Sequence, residues 1–232
     1  NIKKISFVED YMWSTKNRAL DQFKLFIEHD INVKWEGFCR ADFLSRLKDE
    51  ELDIIADSGA EILSLGLETG SERMLKHIKK HITVDQAKTA VKRCADRGIM
   101  TECSFIIGMP TETEADVEDS IKMYDILTNF SDYVEINGFF LYTPYPGVPL
   151  YDEALELGHT KNETLEEWED WEFSRAYQNV WLSKKHTHKL ETISIIVRFK
   201  YYLHRFNFYA NKSPEYKKRK LNNVFLKIGY RY

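Results

Sequence analysis

The sequence contains little cysteine and proline, and it lacks any long apolar run. Its 232 residues include 3 Cys, 5 Pro and 10 Gly. No apolar stretch approaches the roughly 20 residues that a membrane-spanning helix needs, which excludes a transmembrane protein. The first ten residues also lack the apolar stretch and small-residue cleavage pattern of a secretory signal. We therefore predict a cytoplasmic location.

The cysteines are too widely spaced to form a recognisable local site. Cys39, Cys94 and Cys103 show neither CxxC nor CxxxC spacing. This excludes a disulfide framework and a local zinc or iron–sulfur motif. We expect all three to be buried and to pack as small hydrophobic residues.

Charge is distributed unevenly along the chain. The composition, 43% hydrophobic and 30% charged, is close to the average of globular proteins, and the net charge is −4. Residues 184–232 contain thirteen Lys or Arg and two Glu, a charge of +11, which leaves −15 for the first 183 residues. The carboxyl-terminal part is therefore a basic segment on an acidic body.

Five apolar runs rich in Ile, Val, Phe or Leu predict β-strands at residues 4–8, 32–38, 61–67, 100–107 and 133–140. Helical patterns separate them. One helix opens at Thr83 with Gln86 three residues later, a capping box, and closes at Gly98. Three more helices are predicted by apolar residues: Ala19, Phe23 and Phe26 after Ser14 or Thr15; Leu44, Leu47, Leu52 and Ile55 before Gly59; and Val117, Ile121 and Tyr124 after Thr113.

This alternation predicts an α/β fold. Its five strand-and-helix units, each of about 30 to 40 residues, favour a parallel sheet with helices outside, best as a barrel or partial barrel. A complete eight-unit barrel takes about 250 residues, so either the sheet is open or units are missing. Because the chain begins almost directly in a strand, missing units are plausible. We assign residues 1–151 to this barrel and residues 152–232 to a helical, basic and aromatic extension.

Polar residues follow the predicted strands, where parallel α/β proteins bind ligands. Glu9 and Asp10 follow the first strand and could accept hydrogen bonds from a ligand ammonium or hydroxyl, or form an acidic loop before the next helix. Glu68, in GLETGS, follows the third strand. Its carboxylate could hold a ribose diol, or could stand at a helix terminus stabilised by the helix dipole.

The remaining strand ends also have two interpretations each. Ser71 most simply caps the next helix and could still shape the site. Arg40 could pair with Asp42 or present its guanidinium to a carboxylate or phosphate. Gly108, in SFIIGMPTET, could allow a flat ligand to approach the backbone, although its spacing is also that of an ordinary strand-to-helix turn. Residues 142–151, YTPYPGVPLY, form either a rigid ligand-facing loop or a structural connector.

Five strings in order carry a resemblance to a known family: FVEDYMW, WEGFCRADFL, GLETGSERMLKHIKKHIT, GMPTET and YTPYPGVPLY, within residues 7–151. The chain resembles the radical S-adenosylmethionine (SAM) superfamily, in particular the branch that often carries an amino-terminal cobalamin-binding domain. The resemblance implies a partial (β/α)6 TIM-like barrel. It also implies a 4Fe-4S cluster held by a CxxxCxxC loop after the first strand. That loop is absent here, so we expect the barrel to lack its first βα unit and the cluster ligands to lie outside this chain.

The resemblance also implies roles for individual residues. Glu9 and Asp10 resemble the strand-end pair beside the methionine moiety of SAM, and Glu68 resembles the ribose contact. The strand from Ile106 to Gly108 resembles the adenine-facing strand, and the backbone of Tyr142 resembles the last-strand border of adenine. The sequence departs from the family pattern at three positions. The family often has Asp at position 9, Ser at position 69 and Gly at position 111, where this chain has Glu9, Thr69 and Thr111.

The implied activity is reductive cleavage of SAM to a 5′-deoxyadenosyl radical, with an electron donor such as flavodoxin or ferredoxin. We expect cobalamin-associated methyl transfer or oxidative cyclisation of a small or lipid-like metabolite, and no SAM cleavage by this chain alone. No general acid or base is assigned.

Two other functions are weighed against this one. A tRNA-modifying methylthiotransferase-like enzyme shares similar strings, but such proteins usually end in a small β domain, whereas Leu190, Ile193, Val197 and Tyr201 have helical spacing. Nucleic acid is therefore not the expected partner. The missing cluster cysteines leave a non-catalytic interaction module as a third possibility. The basic tail predicts contact with an anionic membrane or a hydrophobic substrate, or else a helix packed across the barrel with solvated lysines.

Overall fold

The computed structural model describes residues 2–9, 13, 15–169 and 179–212. One five-stranded sheet occupies its centre, and all neighbouring strands pair in parallel in chain order. The strands are β1 (Lys4–Ser6), β2 (Lys34–Cys39), β3 (Ala60–Glu68), β4 (Met100–Ile107) and β5 (Val134–Leu141). The helices of the described part are α1 (Lys16–Glu28), α2 (Ala41–Arg46), α3 (Asp49–Asp57), α4 (Glu72–His77), α5 (Val84–Ala95), α6 (Glu114–Thr128), α7 (Pro149–Glu156), α8 (Leu165–Glu169) and α9 (Lys184–Lys212). The α/β class and the five strands are confirmed.

Helix starts follow the local signals in the sequence. The Thr83 side chain accepts a hydrogen bond from the backbone N–H of Gln86, and Thr15 and Thr113 cap α1 and α6 in the same way. The single helix expected around Leu44 and Ile55 is instead two helices. Leu47 is extended, with ψ 144°, and α3 begins anew with the Glu51 carboxylate accepting the backbone N–H of Lys48.

The main core lies between the sheet and the helices α1, α2, α3, α5 and α6. Trp35 of β2 stacks on Phe23 of α1 at 4.5 Å, and Phe105 of β4 stacks on Phe139 of β5 at 4.7 Å. Cys39, Cys94 and Cys103 are buried free thiols, as expected, and burial raises the pKa of Cys94 to about 12. They pack as apolar groups.

Helix α9 lies along the outer edge of the sheet. Its Leu190 approaches Gly108 at the carboxyl end of β4, and its Phe208 contacts Tyr133 just before β5, so α9 runs antiparallel to β5. Leu190 and Val197 belong to the main core. The helix thereby covers a strand edge that would otherwise expose unpaired backbone groups.

The inner face of α9 also carries a polar cluster. The Tyr201 hydroxyl and the Arg205 guanidinium each lie 2.6 Å from the carboxylate of Glu102 on β4. Arg205 and His204 lie 3.6 and 3.5 Å from the buried carboxylate of Glu135 on β5. These ion pairs fix the helix on the sheet. None of the helices in the described part is both long and apolar enough to cross a bilayer.

Candidate ligand site at the carboxyl ends of the strands

The third strand ends in an unusual backbone conformation that positions Glu68. The backbone φ of Glu68 is +67°, and the pairing of β3 with β4 shifts register between Gly66 and Glu68. The Glu68 carboxylate folds back over the strand, because its Oε1 lies 2.5 Å from where a Cβ of residue 66 would stand. Oε1 also accepts a hydrogen bond from Lys80 at 2.6 Å. Gly66 is thus what allows the carboxylate to lie at the end of the sheet.

The loop after Glu68 is fixed against α6 by short polar contacts. Ser120 Oγ accepts the backbone N–H of Gly70 at 2.9 Å and lies 3.1 Å from Thr69 Oγ1. A Cβ at Gly70 would stand 2.5 Å from the backbone oxygen of Asp119. The glycine is required because the loop backbone and the α6 backbone touch.

Asp116 of α6 is the buried centre of this loop network. Its carboxylate accepts hydrogen bonds from Ser71 Oγ at 2.5 Å, from Thr113 N at 2.9 Å and from two nitrogens of Arg73. Burial opposes ionisation, but the bonds from Arg73, Ser71 and Thr113 outweigh it and hold the pKa of Asp116 well below its usual range. Ser71 also accepts Met74 N at 3.3 Å, which confirms its capping role.

The turn after β4 is held by Glu112. Its Oε2 accepts the backbone N–H of Gly108 at 2.5 Å, while its Oε1 is buried with no hydrogen-bond partner among the described residues. Burial raises the pKa of Glu112 to about 7, partly offset by the bond from Gly108. Thr111 has φ +61°, the left-handed conformation that glycine favours, and its carbonyl accepts Arg73 at 2.8 Å. The turn therefore forms with threonine in a strained conformation.

The ends of β4 and β5 are joined by the segment that precedes α9. Asn179 Nδ2 donates to the carbonyls of Tyr142, at 2.9 Å, and Gly108, at 3.4 Å, and Trp181 Nε1 donates to Gly108 at 3.2 Å. A Cβ at Gly108 would meet Leu190 at 3.2 Å and Leu182 at 3.3 Å. The groups that approach Gly108 closely are thus side chains of the protein itself. A contact between a ligand and Gly108 stays a prediction.

A small apolar patch adjoins these carbonyls. Met74, Met109 and Tyr142 are buried together, with the half-buried Ile78, Ile106, Leu150 and Trp181 against them. Within the described residues, the hydroxyls of Tyr142 and Tyr151 and the Oδ1 of Asn179 are buried without hydrogen-bond partners. Because buried polar atoms are normally paired, these three are candidates to meet a ligand.

The remaining sequence-predicted residues are Glu9, Asp10 and Arg40. Glu9 is exposed beyond β1, and Asp10 lies outside the described residues. Arg40 Nε donates to Asp42 at 2.8 Å, so the pair is formed. The described residues contain no group of three His, Cys, Asp or Glu side chains able to hold a metal ion.

Sequence reasoning missed three components of the site. Asp116 lies three residues after Thr113, and this capping-box spacing was the sequence signal that could have identified it. Lys80 and Asn179 carry no local pattern that marks them as site residues.

The chain is similar to known proteins in sequence and in fold. Residues 20–124 match the family described as the Radical SAM superfamily. The chain is 32% identical over 154 residues to an uncharacterised methyltransferase of Pyrococcus horikoshii, covering 66% of this chain and 32% of that protein. It is 31% identical over 129 residues to the anaerobic magnesium-protoporphyrin IX monomethyl ester cyclase of Rubrivivax gelatinosus, covering 55% of this chain and 22% of that protein. The chain spans about a third or less of these relatives.

A solved structure shows the same fold. The radical SAM methyltransferase TsrM from Kitasatospora setae, with cobalamin and a 4Fe-4S cluster bound, superimposes with a TM-score of 0.57 at 18% identity. The match covers 69% of this chain and 32% of that chain. The part of the chain that matches the radical S-adenosylmethionine superfamily, residues 20–124, contains three of the five motifs that predicted it: WEGFCRADFL, GLETGSERMLKHIKKHIT and GMPTET.

Proposed function

We propose that this chain supplies the adenosine-binding side of a radical SAM enzyme. The observation that carries the proposal is the position of Glu68 at the carboxyl end of β3, inside the matched residues. Lys80 holds its carboxylate in the space that Gly66 leaves open. Lys80 contacts only Oε1 at 2.6 Å, and a carboxylate has a second oxygen for a ribose hydroxyl.

The apolar patch beside Tyr142 fits the flat base of the same ligand. Ile106 is only partly buried and offers apolar surface, and the unpaired Oδ1 of Asn179 is an acceptor for an exocyclic amino group. Glu9 and Asp10 remain the proposed contacts to the methionine moiety. In this role the chain orients the ligand and excludes water, while the SAM supplies the radical chemistry.

The cysteines of this chain do not fit an iron–sulfur cluster. All three are buried, and burial raises the pKa of each thiol, whereas a cluster needs thiolates. We propose that the 4Fe-4S cluster is held by residues outside this chain and is reduced by a flavodoxin or ferredoxin.

The proposed reaction is methyl transfer with cobalamin, or oxidative cyclisation, on a small or lipid-like metabolite. The methyltransferase and cyclase relatives support these two outcomes. A tRNA-modifying enzyme is the alternative function, and the basic residues of the carboxyl-terminal segment favour it. Helix α9 argues against it, because such enzymes usually have a small β domain in that part of the chain. Binding of tRNA by this chain at physiological salt would favour the alternative.

Adenosine binding tests the proposal without the cluster. We expect adenosine to bind, and Glu68→Gln to weaken binding by about tenfold, the effect of losing one hydrogen bond to a charged group. Isothermal titration calorimetry measures both values. Glu61→Gln is the matched control, because Glu61 lies on the same strand and also contacts a lysine, Lys4, at 2.8 Å. Equal effects of the two variants, or no binding at all, would contradict the proposal.

A further inference from the structure

The outward side of α9 is apolar. Ile195, Ile196, Phe199, Tyr202 and Leu203 recur at helical spacing, and between 42% and 58% of each residue is exposed. We call these five residues the α9 stripe. The opposite side of the helix packs on the sheet through Leu190 and Val197, so the stripe points away from the sheet. Contiguous exposed apolar surface of this kind marks an interaction site on a protein.

The charge around the α9 stripe identifies the kind of surface that covers it. Helix α9 contains seven Lys or Arg residues and a single acidic residue, Glu191; two of the seven, Lys189 and Arg205, form ion pairs with Glu114 and Glu102. The run KKRK, residues 217–220, follows shortly after it in the sequence. The first 183 residues carry a charge of −15. An anionic surface would attract the α9 side and repel the rest of the protein, which sets one orientation.

We propose that the α9 stripe binds the surface of an anionic phospholipid membrane. Three of its five residues are aliphatic, which suits acyl chains better than the stacked bases of a nucleic acid. Arg198 and Lys200 flank the stripe, with Arg198 lying 5.8 Å from the ring centre of Phe140 and Lys200 lying 5.4 Å from that of Tyr124. The helix lies on the membrane and does not cross it. This inference stands independently of the radical SAM function.

Co-sedimentation with vesicles tests the proposal on the 232-residue chain. We expect binding to phosphatidylcholine vesicles that contain about one third phosphatidylserine, and much weaker binding to pure phosphatidylcholine. Raising the salt from about 0.1 to about 0.5 M should weaken binding several-fold, since it shortens the Debye length. The double variant Phe199→Glu, Leu203→Glu should bind at least about tenfold more weakly, because two partly inserted apolar side chains are lost.

The control is Leu25→Glu on α1, because Leu25 and Leu203 are both 50% exposed. It should bind vesicles like the unmodified chain, and circular dichroism verifies that each variant is folded. The proposal would be overturned by equal binding to both vesicle types, by equal loss in Leu25→Glu, or by a dimer in light scattering that dissociates only in the double variant. If the unmodified chain binds RNA but not vesicles, and the double variant Phe199→Glu, Leu203→Glu loses that RNA binding, the surface is assigned to nucleic acid.

Discussion

Replacing Asp116 by Asn should loosen the loop that carries the candidate site. The substitution keeps the size of the side chain but removes its charge, and it turns one acceptor oxygen into a donor. That new NH₂ group would face donors from Ser71, Arg73 or Thr113, all of which now point at the carboxylate. A buried donor facing another donor leaves both unpaired.

The cost of this change follows from the burial of each partner. The Asp116 side chain is 6% exposed, but that of Arg73 is 50% exposed, so water compensates part of the lost ion pair. Breaking a fully buried pair costs about 3–5 kcal/mol, and we therefore expect a loss of about 2–3 kcal/mol in the free energy of unfolding. That is a large share of the roughly 5–15 kcal/mol typical of a domain.

Urea unfolding of both proteins at pH 7 measures the loss. Asp119→Asn is the matched control, because Asp119 lies one turn away on α6 and forms only an exposed pair with Lys122, so its replacement should cost less than about 0.5 kcal/mol. The Asp116 carboxylate has a lowered pKa, so its contribution is complete above the unfolded pKa of about 4 and is lost as the pH falls further. Equal destabilisation by both variants, or a difference that persists unchanged at pH 2, would refute the reasoning.

Three further outcomes are expected, each measured by urea unfolding. The pKa of Glu112 is raised to about 7, so the folded state retains a proton that the unfolded state loses above about pH 4.5. The free energy of unfolding should therefore fall on the order of 2 kcal/mol between pH 5 and 8. Glu112→Gln should remove this fall, and a fall that persists in the variant would exclude Glu112 as its cause. Gly70→Ala should lower the free energy of unfolding by at least about 2 kcal/mol, because the new Cβ would meet the Asp119 backbone at 2.5 Å. Gly98→Ala, whose Cβ would be 3.8 Å from its nearest neighbour, should lower it by about 1 kcal/mol. Thr111→Gly should be neutral or stabilising by up to about 1 kcal/mol, since φ is +61°, and a clear loss would show that Thr111 is not strained.

The elements with local signals were predictable from the sequence. Each strand is an apolar run, and Thr83, Thr113 and Ser71 cap helices through contacts only three residues away. The break between α2 and α3 was missed, although Leu47 and Leu52 are five residues apart and interrupt the helical period. The acidic residues that open α3 were the other available signal.

The connections between elements were not predictable. Ser71 and Asp116 are 45 residues apart, and Asn179 is 71 residues from Gly108. Such pairs depend on how the sheet brings distant loops together, and hydrophobic periodicity records only which face of an element is buried. For the same reason the sequence predicted a polar rim but could not show that Glu68 is already paired with Lys80.

The antiparallel return of α9 along β5 also determines when the site can be completed. The contact of Arg205 with Glu102 spans 103 residues, and that of Asn179 with the Gly108 carbonyl spans 71. Contacts of such long sequence separation close the largest loops and form late in folding. During synthesis, Asn179 must therefore leave the ribosome before it can bridge the carbonyls of Gly108 and Tyr142.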